Sequence, residues 1–286
     1  MKLKENRILS ILLVTLTYIL ASVLGIILYN ALNFSVWLNL LLADCFATVI
    51  VFIVSVILKN ASVYDPYWSV QPIIIVIGFT FLYGLNVMGI IVVSVVCVWG
   101  IRLTANWMYT FHSLNYQDWR YVMLKERTGK FYPIINFVGI HLVPTLVVYL
   151  CTMPIVFVII NAPTFNFFAT CFALVSLLAV ILQGLADYQM HKFRKNKTGN
   201  FIRTGLWKYS RHPNYLGEIL MWWGMGICGF ILLPNLWYMP IGAIANTLLF
   251  LFVSIPMADN RQSKKSGFSE YKMATRALLP IYKKQG

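Results

Sequence analysis

Long apolar runs, interrupted by short polar stretches, are the dominant pattern along this chain. A helix of about 20 apolar residues matches the thickness of a bilayer, and eight such runs are found, at 8–28, 36–58, 67–84, 87–110, 134–159, 165–190, 214–233 and 236–257. The predicted fold is therefore all-α, a polytopic transmembrane helix bundle. The third run is the weakest, because Pro66 and Pro72 lie near its start and Gly84 ends it. Seven spans with one re-entrant piece is the alternative count. The first run follows Met-Lys-Leu-Lys-Glu-Asn-Arg, the opening of a secretory signal. It continues to about Leu28 without a small-residue cleavage site, so it reads as a first transmembrane helix. No repeat, low-complexity tract or water-soluble domain breaks the pattern. Residues 1–286 thus read as a single transmembrane domain, with N-terminal spans over 1–60 ahead of the region 61–286.

Composition strengthens this reading. Hydrophobic residues make up 59% of the chain and charged residues 11%, against about 25% charged in soluble domains. Too little polar surface remains to cover a water-soluble body. The net charge of +14 raises nucleic acid as a partner, but the cations sit beside apolar spans, which fits a lipid bilayer and anionic ligands instead.

Charge also gives a topology. Lys and Arg collect on the cytoplasmic side of membrane proteins. Of the 23 such residues, all but Arg102 fall in or next to the N-terminal tail, 59–66, 111–133, 191–213 and the tail from 258. Arg102 lies inside the fourth run and faces the same end. The alternate connections near 29–35, 85–86, 160–164 and 234–235 carry none. Both termini are therefore expected to be cytoplasmic, in a bacterial inner membrane or an endoplasmic reticulum. The five cysteines lie in apolar runs without CxxC spacing, and the four histidines show no metal-ligand spacing, so neither a disulfide framework nor a metal site is expected. The sequons Asn60-Ala-Ser62 and Asn196-Lys-Thr198 fall on the internal side and are expected to be unmodified.

Candidate chemistry concentrates at the internal ends of the later runs. Gly205–Trp223 reads GLWKYSRHPNYLGEILMWW. Pro213 suits the first turn of a helix, where its missing N–H is no loss. Helical spacing then brings Arg211, Asn214, Glu218 and Trp222 onto one face. A carboxylate on a membrane span is costly and marks a site by default, while the helix N-terminus beside Arg211 and His212 favours an anion. The plainer alternative is an interfacial basic loop with a Glu satisfied by a neighbouring helix. Upstream, Asp187, His191 and Arg194 share a helical face at the membrane boundary. An Asp there can accept from ribose hydroxyls and an Arg can fork onto phosphate, or the group is a helix end with snorkelling cations. Arg102, deep in the fourth run with Trp99, Asn106 and Tyr109 on its face, needs a carboxylate partner, for which Asp65 or Glu218 is the candidate. Asp118-Trp119-Arg120-Tyr121 is either a site loop or an interfacial amphipathic helix. Asp44 reads as a helix-packing hydrogen bond and His141 as a hydrogen-bonded core histidine. Gly224-Met-Gly226-Ile-Cys-Gly229 matches GxGxxG, but it lies in mid-span, where close helix packing is the better account.

Gln183-Gly-Leu-Ala-Asp187-Tyr-Gln-Met-His191-Lys-Phe-Arg194, followed by Gly205-Leu-Trp-Lys-Tyr-Ser-Arg211-His-Pro-Asn214-Tyr-Leu-Gly217-Glu218, resembles the C-terminal half of the steroid 5-alpha-reductase-like membrane proteins, most of all their DUF1295 branch. Trp99-Gly-Ile-Arg102-Leu and Tyr271-Lys-Met-Ala-Thr-Arg-Ala-Leu-Leu-Pro280 support the likeness. The resemblance implies NADPH held between the helices and the cytosolic loops, reducing an activated carbon–carbon double bond of a hydrophobic lipid. Asp187, Arg194, Asn214 and Glu218 match the family's cofactor-contacting positions, with His191, Arg211 and Tyr271 as additions. The Gln-Glu pair that holds the carbonyl in the animal steroid reductases is missing. Asp65 with Arg102, and Glu218, are then the candidate catalytic groups. Membrane methyltransferases of the isoprenylcysteine or phospholipid type, which use S-adenosylmethionine, share the Arg-His-Pro-x-Tyr loop and a following Glu. A non-catalytic lipid-binding or transport protein is the reading from another class.

Overall fold

The computed structural model of the chain describes residues 2–196 and 199–280. Among them there is no strand, and eight helical stretches are long and apolar enough to cross a membrane: Arg7–Ala31, Val36–Ile57, Ala61–Tyr83, Val87–Thr110, Trp119–Asn161, Phe167–Asn196, Pro213–Leu232 and Ile241–Gln262. They are called the first to eighth spans below. The third run is helical along its length: a 3-10 turn over Ala61–Tyr64 leads into Tyr67–Tyr83, and Gly84, at φ 78°, ends it with a backbone only glycine adopts freely. Pro72 sits in the second turn of that helix and does not break it. The fifth span reaches further than its apolar run, because Asp118 caps a helix over Trp119–Thr128 by accepting from the Arg120 N–H at 2.8 Å. Polar helical turns also extend the sixth and eighth spans beyond their apolar runs, to Asn196 and Gln262. Large apolar side chains point outward along the helices, Leu12, Leu16 and Ile19 of the first span among them, as lipid-facing helices require.

The residues sort into two compact units, one of Met1–Gly84 with Gly100–Val156, the other of Leu85–Trp99 with Phe157–Gly286. In the first, the buried face of the first span packs on the second, and Tyr18 donates to the Val63 carbonyl at 2.5 Å. The polar segment after Thr110 is sewn down by buried hydrogen bonds: Asn60 Nδ2 donates to the Leu114 carbonyl at 2.6 Å, and the Ser62 hydroxyl accepts from the Asp118 N–H at 2.8 Å. Asn60 is buried in this role; the sequon at Asn196 runs into positions outside the described residues. The third and fourth spans touch closely at Gly100, where a Cβ would stand 2.6 Å from the Ser69 carbonyl oxygen.

The second unit is built on the seventh span lying against the sixth. Small residues make this approach possible. A Cβ on Gly217 would stand 2.7 Å from the Ala179 carbonyl oxygen, and one on Gly224 would stand 2.8 Å from that of Phe172 and 2.1 Å from Ser176 Oγ. Ser176 Oγ in turn donates to the Met221 carbonyl at 2.9 Å. Gly224, the first glycine of the GxGxxG run, therefore serves helix packing, within a helix that runs from Pro213 to Leu232.

Replacing Gly224 by Ala forces backbone apart and is expected to cost about 1–3 kcal/mol, a drop of several degrees in the detergent unfolding midpoint. Gly78→Ala, where a Cβ meets nothing within 4 Å, should leave the midpoint unchanged or raise it. Equal midpoints for the two variants would contradict this packing.

Candidate active site

Glu218 is one turn into the seventh span and 4% exposed. A carboxylate so placed must be surrounded by donors, and three indole or amide N–H groups of the second unit meet it. Trp99 Nε1 donates to Oε2 at 2.9 Å, Gln183 Nε2 donates to the same oxygen at 3.0 Å, and Trp222 Nε1 donates to Oε1 at 2.8 Å. The Trp99 and Trp222 rings meet edge to face, 4.8 Å apart. Glu218 thus ties together the fourth, sixth and seventh spans. Its geometry is that of a positioning group, which fixes two indoles and an amide at one level of the bundle. One turn earlier, Asn214 carries a buried side-chain oxygen with no partner among the described residues. Asn214 follows Pro213 in the first turn, where free backbone N–H groups also point outward.

Arg211 and His212, just before that helix, have a partner that sequence reasoning missed. Asp259, 4% exposed at the end of the eighth span, accepts from Arg211 Nη2 at 2.8 Å and lies 3.0 Å from His212 Nε2. Lys272 adds a longer contact at 3.5 Å, but its side chain is half exposed and contributes little. Arg211 Nη1 also donates to the Thr275 carbonyl, and the Arg211 and His212 backbone N–H groups donate to the carbonyls of Arg276 and Ala277 at 3.0 and 3.1 Å. Tyr215 stacks on the His212 ring at 5.1 Å. Arg211 is therefore occupied in clasping the C-terminal segment and does not stand open for an anion. Tyr271 has a similar duty: its hydroxyl donates to the Trp207 carbonyl, and burial, reinforced by Asp259 and opposed by Arg211, holds the phenol well above its ordinary pKa. The signal for Asp259 was present as one of two acids, with Glu270, in a basic tail. It was passed over because the apolar run ends at 257, two residues before it.

Asp187, His191 and Arg194 occupy one face of the last turns of the sixth span, and their charges interact. Arg194 also lies close enough to Arg261 and Lys265 for mutual repulsion. Burial first, then the positive charges of Arg261 and Arg194, push the Lys265 ammonium below its usual pKa. Lys265 Nζ donates to the Asn200 carbonyl at 2.7 Å. Arg261 and Lys265 are the second omission of the sequence reading, since distance along the chain hides their nearness to Arg194.

Asp65 and Arg102 belong to the first unit. The Asp65 carboxylate does not take Arg102 as its partner. It accepts from the Tyr121 hydroxyl at 2.5 Å and lies 3.8 Å from Arg120 Nη2, because the helix capped by Asp118 brings that face onto it. Asp44 accepts from Gln71 Nε2 at 2.5 Å, the packing bond expected. No group of three or more His, Cys, Asp or Glu able to hold a metal occurs among the described residues.

Asp259→Asn would leave the buried Arg211 guanidinium without its carboxylate. A loss of about 3–5 kcal/mol is expected, read as a large fall in unfolding temperature together with increased proteolysis after Tyr271. A variant as stable as the parent would refute the clasp.

Three comparisons place this arrangement among known proteins. A curated protein of Schizosaccharomyces pombe (strain 972 / ATCC 24843), "Uncharacterized protein C594.04c", is 28% identical over 207 residues, which are 62% of this chain and 60% of that protein. The match thus spans less than two thirds of that relative's length. No solved structure matches the chain. The family profile described as "Protein of unknown function (DUF1295)" matches residues 51–275. Those residues take in Asp65, Glu218, the Asp187–Arg194 face, Asp259 and Tyr271, and the chain belongs to the DUF1295 family.

Proposed function

We propose that this protein is a membrane-embedded reductase that draws on NADPH to reduce a conjugated carbon–carbon double bond of a lipid or steroid-like enone. The observation that carries the reading is the cation cluster at the end of the sixth span, Arg194 with Arg261 and Lys265. Asp187 offsets part of the positive charge at Arg194, and a phosphate-bearing ligand would supply further negative charge to this cluster. In the same unit, the orphaned Asn214 oxygen asks for an N–H or O–H donor from a ligand. Asp187 offers an acceptor suited to ribose hydroxyls.

These residues fit a dinucleotide with phosphates at one end and an amide-bearing ring at the other. NADPH, when bound, supplies the hydride. Arg194, Arg261 and Lys265 would hold its phosphates, Asp187 and His191 the ribose, and Asn214 an amide or hydroxyl. Glu218 keeps Trp99, Gln183 and Trp222 in place beside that span and excludes water. In this reading both termini are cytoplasmic, and the substrate is a hydrophobic small molecule that enters from the bilayer. The Arg211-His-Pro-Asn-Tyr215 loop, which favours the methyltransferase alternative, is engaged by Asp259 and the C-terminal segment.

Titration of the purified protein with NADPH and, separately, with S-adenosylmethionine distinguishes the readings. Saturable binding and thermal stabilisation by NADPH alone are expected. Arg194→Ala and Asn214→Ala should each weaken it, Arg194→Ala by about 10- to 100-fold, the equivalent of a charge-assisted hydrogen bond. Stabilisation by S-adenosylmethionine alone, or NADPH binding unchanged in both variants, would reject the reductase assignment.

A further inference from the structure

The fifth span of the first unit begins ahead of its apolar run, with the short helix Trp119–Thr128. One side of that helix is fastened to the unit. Tyr121 is buried with Ala61 and Ile140, Leu124 packs beside them, and the Tyr121 hydroxyl donates to Asp65. Arg120 is engaged as well, by Asp118 at 2.8 Å. The remaining cations are exposed: Lys125 and Arg127 on the helix, and Lys130 just past its end. None of these three makes an ion pair among the described residues, and neither does Glu126, the one acid between them.

Gly129, at φ 50°, ends the helix in a backbone that favours glycine, and a Cβ there would meet nothing within 4 Å. The glycine thus serves the corner at which the chain turns into the span. Below the corner, Phe131, Ile134 and Val138 are 58%, 61% and 42% exposed. Their spacing of three and then four positions puts them on one line down the helical stretch. Lys130 Nζ lies 5.5 Å from the centre of the Phe131 ring, and Lys125 Nζ 6.0 Å from that of Tyr132. The cations therefore stand directly over the start of an outward-facing apolar line.

Depth in the bilayer follows from the chain. Lipid phosphates stand level with the point where an apolar run leaves the hydrocarbon. This corner is on the side that holds the N-terminus, since the Asn115 N–H donates to the Lys4 carbonyl at 3.1 Å. An anionic lipid at that level finds both halves of what it needs: cations for its phosphate and apolar side chains for its tail. A soluble anion uses only the cations. A zwitterionic lipid brings its own positive charge and gains less from them.

We propose that Lys125, Arg127 and Lys130, with the line Phe131, Ile134 and Val138 beneath them, form a docking site for an anionic phospholipid of that leaflet. The lipid phosphate rests among the three cations and one acyl chain runs along the apolar line. The site lies within the first unit and is independent of the NADPH reading.

Native mass spectrometry of the delipidated protein in detergent, titrated with phosphatidylglycerol or phosphatidylcholine, tests this. Phosphatidylglycerol is expected to be retained in preference. The triple variant Lys125→Gln, Arg127→Gln, Lys130→Gln should weaken its binding about 100-fold, and Lys125→Gln alone, which serves if the triple variant fails to fold, about fivefold. Lys125→Arg with Lys130→Arg keeps the charge and should keep the lipid. The control Lys59→Gln, Lys208→Gln, Lys264→Gln removes the same charge from other exposed positions and should leave binding intact. Equal retention of the two lipids, no loss in the Lys125 variants, equal loss in the control, or displacement of phosphatidylglycerol by inorganic phosphate would overturn the site.

Discussion

The second unit depends on one buried carboxylate and on the helix contact that lets donors reach it. Glu218 accepts from Trp99, Gln183 and Trp222, which come from three spans. The Gln183 amide arrives only because residue 217 is glycine, since a Cβ there would stand 2.5 Å from Gln183 Cγ. Close packing and the polar clamp are thus one device. Leaving any of these donors or the carboxylate without its partner inside an apolar bundle costs about 1–3 kcal/mol or more, so the clamp fixes rotation and depth of the seventh span. Asn214, one turn away, inherits its position from that restraint.

A second restraint acts where the seventh span begins. Asp259 fixes Arg211 and His212, and their backbone amides fix the segment around Arg276 and Ala277. Charged residues near this boundary therefore divide into two groups. Arg211 is bound into the protein, half of a buried pair whose desolvation its partner offsets. Arg194, Arg261 and Lys265 lie in one another's field, with Asp187 acting on Arg194 in the opposite sense. In the first unit, Asp65 is satisfied by Tyr121 and Arg120, while Asp44 has neutral partners.

Much of the fold was legible because a bilayer imposes length and apolarity together. All eight runs became helices, the doubtful third included, since Gly84 stops that helix as its φ permits. The costly residue Glu218 was legible for the same reason, and so was the packing role of Gly224. Pairings across the chain were not. Arg211 and Asp259 are 48 positions apart, and nothing in a single sequence says which acid answers which base. Asp65 was one of two acids, with Glu218, expected to answer Arg102, yet the helix capped by Asp118 delivers Tyr121 and Arg120 to it instead. Asp44 and His141 each read as core residues, and the structure gives each a hydrogen-bonding partner, Gln71 for the one and the Asn136 carbonyl for the other.

Photocrosslinking with a reactive NADP analogue, followed by peptide mapping, tests the central claim most directly. The account expects saturable labelling that NADPH competes away, confined to peptides spanning 187–218 and 259–271, and lost in Arg194→Ala. Labelling that S-adenosylmethionine displaces and NADPH does not, or that falls outside those peptides, would contradict it.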